Sequence, residues 1–130
     1  MRYSGLLASV LLTAWLCAQP YVTRPRIPLV GDGATDNTAV LNTALANPTQ
    51  VFVPCGTYLF TSISVTADSV LVVGQGACSV FKPKADSANL FNSNGHTGVA
   101  FQNLTFNLAN APSSTITAGS AAFTNVTIAH

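Results

Sequence analysis

Four Asp are the only acidic residues in this 130-residue chain, and only Asp32 and Asp36 lie close together. Such a pair could hold a cation or divide the acid and base roles of glycoside cleavage. Their setting favours another role. Gly31-Asp32-Gly33-Ala34-Thr35-Asp36-Asn37 is turn chemistry just ahead of a helical apolar pattern. There a short carboxylate accepts from free backbone N–H groups and suits the positive end of the helix dipole. Thr35 or Asp36 is therefore expected as the helix N-cap. His96, in Asn94-Gly95-His96-Thr97-Gly98, has no Cys, His or carboxylate at metal-ligand spacing and no serine partner, so it reads as a solvent-facing loop histidine. No metal site and no cofactor are expected. Gly74-Gln75-Gly76 has Ser79 where a dinucleotide fingerprint needs its third glycine, and no helix follows; it reads as a tight corner. Tyr58 and Phe60, with outward Ser62 and Ser64, have the chemistry of a sugar-stacking face, but one tyrosine and one phenylalanine are too few to assign it.

The elements that must position these groups are mostly strands. Hydrophobic residues make up 48% of the chain and charged ones 7%, the polar balance being Thr, Ser and Asn, which suit turns and sheet surfaces. A formal charge of +1, with no run of Lys or Arg, excludes a nucleic-acid partner; Lys82 and Lys84 around Pro83 read as a solvated turn. Met1-Arg2 followed by the apolar stretch from Leu6 to Ala18 has the form of a secretory signal, too short to span a bilayer comfortably. Residues 1–18 are thus expected to be removed, with cleavage after Ala18. The mature chain is expected to be extracellular and free of the membrane. Residues 19–30, with Pro20, Pro25 and Pro28, read as an extended lead-in. Val40, Leu41, Ala44 and Leu45 fall on one face of a short helix that Asn47-Pro48 ends.

From Val51 the period becomes two. Val51 and Val53 alternate, then Leu59, Thr61, Ile63 and Val65 beyond the turn at Pro54-Cys55-Gly56; a third strand runs from Val70 to Val73. The stretch from Phe81 to Gly98 reads as a long turn with one short strand at Leu90-Phe91. The most informative feature is a repeat. Phe101-Gln102-Asn103-Leu104-Thr105-Phe106 is matched 22 residues later by Phe123-Thr124-Asn125-Val126-Thr127-Ile128, the signature of a stacked architecture. In a parallel β-helix, coils lie about 4.8 Å apart, so Asn103 and Asn125 would stack as a side-chain ladder, with Phe101 on Phe123 and Leu104 on Val126 inside. Asn103-Leu104-Thr105 and Asn125-Val126-Thr127 are also N-glycosylation sequons, but inward ladder asparagines would be hidden from a transferase. Cys55 and Cys78, 23 residues apart, are nearly one coil from each other, which a disulfide tolerates. Aligning Val53 with Val72 would offset them, leaving two buried thiols as the alternative.

The run Gly31-Asp32-Gly33-Ala34-Thr35-Asp36-Asn37-Thr38, a short helix, then Val51-Phe52-Val53-Pro54-Cys55-Gly56-Thr57-Tyr58 resembles the opening of the pectate lyase superfamily. That superfamily includes rhamnogalacturonase and epimerase-like β-helix proteins and many phage tailspikes. The resemblance covers roughly residues 28–128 and departs at Cys55, where a small or apolar residue is more usual. It implies an all-β fold: a right-handed parallel β-helix, of which residues 31–130 supply the first coils, with a short N-terminal capping α-helix. The chain stops within two residues of a strand, so it is expected to be C-terminally truncated, its open edge making the isolated segment poorly soluble. The resemblance further implies a secreted protein acting on polysaccharides, acidic ones above all, as a lyase or glycoside hydrolase. Its catalytic coils would lie beyond this segment, which alone is expected to be inactive, and no catalytic residue carries over. The rivals are a non-enzymatic carbohydrate-binding or adhesion β-helix and a complete small β-sandwich adhesin, against which the repeat and the capping helix argue.

Overall fold

The computed structural model describes residues 27–86 and 89–130. The expected signal peptide and most of the lead-in lie outside the described residues. Ten strands and one short helix follow in order: β1 (Asp32–Asp36), α1 (Thr38–Ala44), β2 (Thr49–Val53), β3 (Gly56–Phe60), β4 (Ile63–Ser64), β5 (Val70–Gly74), β6 (Ser79–Pro83), β7 (Phe91–Asn92), β8 (Ala100–Asn107), β9 (Ile116–Thr117) and β10 (Ala122–Ala129). Every strand pairing is parallel, and the strands form a β-solenoid of about four turns.

Each coil visits three faces. The first stacks β2, β5 and the leading halves of β8 and β10, with Val51, Val72, Phe101 and Phe123 in one column. The second stacks β1, β3, β6 and the trailing halves of β8 and β10, with Tyr58, Phe81, Phe106 and Ile128 in another. The third stacks β4, β7 and β9, with Ile63, Phe91 and Ile116 in line. Because strand side chains alternate, these columns point inward, and the largest fully buried side chains are phenylalanines. Phe81 packs on Phe60 with ring centroids 4.8 Å apart and on Phe106 at 5.6 Å. Phe91 packs on Phe101 at 4.8 Å.

Parallel coils bend sharply between faces, and the bends explain two sequence motifs. Asn103 and Asn125 interrupt β8 and β10 with φ of 55° and 51°, the left-handed conformation that asparagine tolerates better than most residues. Their identical spacing gives an in-register stack, and the Asn125 Nδ2 donates to Asn103 Oδ1 at 3.2 Å. Asn103 is half-buried and Asn125, on the last coil, is exposed. At the equivalent bend one coil earlier, a Cβ on Gly74 would run into the Asn103 carbonyl and come within 2.9 Å of the Ser79 Cβ. Only glycine lets the two coils approach that closely. Ser79, buried beneath this corner, donates its hydroxyl to the Val53 carbonyl.

Several expectations are corrected. The Gly31–Asn37 stretch is not only a turn: β1 pairs with β3 in an irregular parallel register. The expected run through Leu59, Thr61, Ile63 and Val65 breaks at a corner, so Tyr58 and Phe60 point inward before it and Ile63 and Val65 after it. Lys82 and Lys84 do not form a free turn, because Ser79–Pro83 is a strand whose Phe81 is fully buried. The first-face register pairs Val51, not Val53, with Val72, and the second-face register pairs Gly56 with Ser79, which sets Cys55 beside Cys78.

At its first end the solenoid is partly closed. Leu41 of α1 and Leu45 at its C-cap are fully buried against the core. Asn42 stands in for a missing coil beside β4: its Nδ2 donates to the Ser62 carbonyl and its Oδ1 accepts from the Ser64 N–H. A free strand edge would otherwise recruit other chains.

Candidate functional site

The outward positions of the third face are all polar. Ser64, Asn92 and Thr117 stand in register on β4, β7 and β9, opposite the inward Ile63, Phe91 and Ile116. The adjoining loops fix these side chains. Asn94, with φ of 53°, donates its amide to the Ser64 hydroxyl at 2.7 Å and to the Val65 carbonyl, while its N–H donates to Asn92 Oδ1. The Thr117 hydroxyl donates to Asn89 Oδ1 at 3.3 Å. The result is a row of hydroxyl and amide groups at the strand spacing, about 4.8 Å.

At the edge of this row two coils meet through an unforeseen pair. Asp68 Oδ1 accepts from the Thr97 N–H at 2.9 Å and lies 3.1 Å from His96 Nδ1. The Thr97 N–H, then His96, hold the Asp68 carboxyl below its ordinary range. Since the carboxylate can only accept, the His96 Nδ1 donates to it across the two coils. Ser120, one coil later, donates its hydroxyl to the His96 carbonyl. His96 is thus not a loop histidine without a carboxylate. Its partner lies 28 residues away on the preceding coil, a distance at which local spacing carries no signal.

Asp32 and Asp36 are each held by their own set of hydrogen-bond donors. Asp32 Oδ1 accepts from the Ala34 and Thr35 N–H groups, and Oδ2 accepts from the Thr35 hydroxyl. Asp36 accepts from the Thr38 hydroxyl and N–H, the Thr61 hydroxyl and the Lys84 ammonium. These donors, led by the Thr35 N–H for Asp32 and the Thr38 hydroxyl for Asp36, lower both carboxyls to about 2. A general acid needs the opposite shift. Thr35 and Asp36 are not the N-cap either. Asn37 holds that position, but its side chain makes no cap bond. Its Oδ1 accepts from the Val30 N–H and its Nδ2 donates to the Val30 and Thr35 carbonyls, welding the lead-in to β1. Asp36 serves the helix start from one residue upstream. The fourth carboxylate, Asp86, accepts from the Ser113 N–H.

A pH dependence follows. A carboxylate whose pKa is lower in the folded than in the unfolded state stabilises the fold above the unfolded value, near 3.8, and that contribution vanishes as pH falls through the folded value, near 2. Thermal unfolding temperatures are therefore expected to fall between about pH 4 and pH 2. Asp32→Asn and Asp36→Asn should each flatten that slope in melts followed by circular dichroism; an unchanged slope would show that these turns contribute nothing to acid sensitivity.

Of the other sequence candidates, Cys55 and Cys78 are joined in a disulfide with Cα atoms 4.8 Å apart. Tyr58 and Phe60 are buried, so they offer no sugar-stacking face, and the Tyr58 hydroxyl donates to the Pro54 carbonyl. Among the described residues, no group of three or more His, Cys, Asp or Glu could hold a metal ion, and no helix is long and apolar enough to cross a membrane.

Parallel coils stacked on three faces, with a short helix at the first end, define a parallel β-helix protein. The chain belongs to the rhamnogalacturonase A/epimerase, pectate lyase-like family, whose model matches residues 28–117. No curated protein and no solved structure matches it.

Proposed function

We propose that this is a secreted β-helix protein that acts on acidic polysaccharides by lyase or glycoside hydrolase chemistry, with this stretch plugging and starting the solenoid rather than cutting the chain. The family match across residues 28–117 carries the proposal. The apolar stretch from Leu6 to Ala18 and the Cys55–Cys78 bridge support export into an oxidising compartment. Lys82, outward on β6, offers a cation to a uronate. All four Asp are engaged, Asp32 and Asp36 in local turns and Asp68 and Asp86 across coils, which supports the expectation that cleavage needs groups other than these.

The same engagement favours a second reading, a carbohydrate-binding β-helix without catalysis. Product analysis separates the two. The exported protein is incubated with pectic polymers and the mixture examined by affinity electrophoresis and mass spectrometry. Unsaturated uronide ends mark a lyase and saturated fragments a hydrolase, while retardation without products is the binding outcome, expected for this stretch by itself. Neither retardation nor products on any acidic polymer would overturn the proposal.

A further inference from the structure

α1 reads Thr-Ala-Val-Leu-Asn-Thr-Ala, without a charge, and it is apolar on two sides. One side buries Leu41 in the core. The other carries Ala39, Val40, Thr43 and Ala44, which with Ile27 and Pro28 line a shallow groove of about 440 Å³. A surface helix normally sets charged or polar groups opposite its core face. Here Thr43 is the only polar side chain in the groove, and its hydroxyl donates to the Ala39 carbonyl within the helix. The groove therefore offers an occupant apolar contact and almost no hydrogen bonds.

Ile27 and Pro28 show which stretch of chain arrives there. They are the first described residues, and the sequence just before them is Gln19-Pro20-Tyr21-Val22-Thr23-Arg24-Pro25-Arg26, outside the described residues. Pro20, Pro25 and Pro28 disfavour a helix in this stretch. Extended, residues 19–26 reach roughly 25 Å, against about 10 Å for the length of α1, so they can run the whole groove. Tyr21 and Val22 are their large apolar side chains. A tyrosine in an open groove keeps its hydroxyl in water while its ring is covered.

We infer that residues 19–26 are the occupant of this groove, laid along α1 with Tyr21 and Val22 against Val40 and Ala44, as a clasp over the plug at the first end of the solenoid. The inference asks only that these residues stay on the chain after export, and nothing of the carbohydrate chemistry.

Limited proteolysis with trypsin reads the clasp, because beyond the expected signal Lys and Arg occur only at Arg24, Arg26, Lys82 and Lys84. Arg24 and Lys82 precede proline, where trypsin does not cut. The bond after Arg26 reports the clasp, and the bond after Lys84 is the internal reference. The exported chain, its first residue set by N-terminal sequencing, is compared with two variants. Tyr21→Ser with Val22→Ser strips the occupant. Thr43→Lys charges the groove at an exposed position in the last turn, where a cation suits the helix dipole and α1 persists. Each is expected to speed cutting after Arg26 about tenfold, since such cutting follows the population of the open form. The rate after Lys84 and the circular dichroism spectrum should not change. All three changes together should act no more strongly than either variant, because both remove the same contact. Equal rates after Arg26 in the parent chain and the variants overturn the inference, as do additive effects or acceleration after Lys84 in step with Arg26. So does protection in the parent chain that fades on dilution, which makes a second copy the occupant, or an exported chain that begins beyond Val22.

Discussion

Phe81→Ala is expected to cost about 4 kcal/mol of stability, within the range for deleting a buried phenylalanine. Phe81 is fully buried and stands mid-column, its ring edge-on to Tyr58, Phe60 and Phe106. Removing it opens a cavity that strands cannot collapse into, because the parallel ladders on either side, to Tyr58 and to Phe106, hold the backbone at fixed spacing. The loss is a large fraction of the stability of a domain this size. Equilibrium urea unfolding measures it as a lowered midpoint at unchanged slope. A cost below about 1 kcal/mol, the value for a conservative core swap, would show that Phe81 is not at the centre of the stack.

Removing the Cys55–Cys78 bridge should come next, at about 3 kcal/mol by the chain-entropy estimate for its loop. The two cysteines are 23 residues apart and tie neighbouring coils at the corner where β3 and β6 begin. The Gly56 N–H already donates to the Cys78 carbonyl there, so the native coils keep their register without the bridge. The effect should therefore fall mainly on the freedom of the unfolded chain. Cys55→Ser with Cys78→Ser is expected to remain folded and to melt roughly 15 °C lower, from the usual relation between stability and melting temperature for a chain of about this length. A double variant that melts with the parent chain would mean that the bridge constrains nothing.

Some of this fold was legible in the sequence because a few positions carry strong and repeated constraints. Asn103 and Asn125 occupy the same left-handed bend on successive coils paired at one constant offset along β8 and β10, so the surrounding apolar pattern repeats without a gap. Elsewhere the coils differ in length. Val72 pairs with Phe101 across a longer loop than separates Val51 from Val72, and no simple period survives. β6 was hidden because Lys82 and Lys84 flank Pro83 and resemble a turn, although Lys82 merely faces outward beside the buried Phe81. Tyr58 and Phe60 were read at the wrong parity, since the corner after Phe60 shifts which alternate residues point inward. Two-residue strands such as β9 are too short to show alternation.

The polar third face was less legible still. Its members come from three coils, and the contact at its edge, between Asp68 and His96, exists only once those coils stack. Asn37 was passed over for a similar reason. Its neighbours Thr35 and Asp36 are commoner caps, whereas its own role is to bind Val30 and Thr35 while almost wholly buried.

Parallel stacking underlies the aromatic columns, the asparagine ladder and the polar face alike. Isotope-labelled protein examined by nuclear magnetic resonance tests it directly, through backbone contacts between strands. Stacked coils predict parallel contacts linking Val51 with Val72, Phe101 and Phe123 in turn, and placing Asn103 beside Asn125. Antiparallel contacts between strands adjacent in sequence, with Asn103 and Asn125 far apart, would instead describe a β-sandwich and contradict the solenoid.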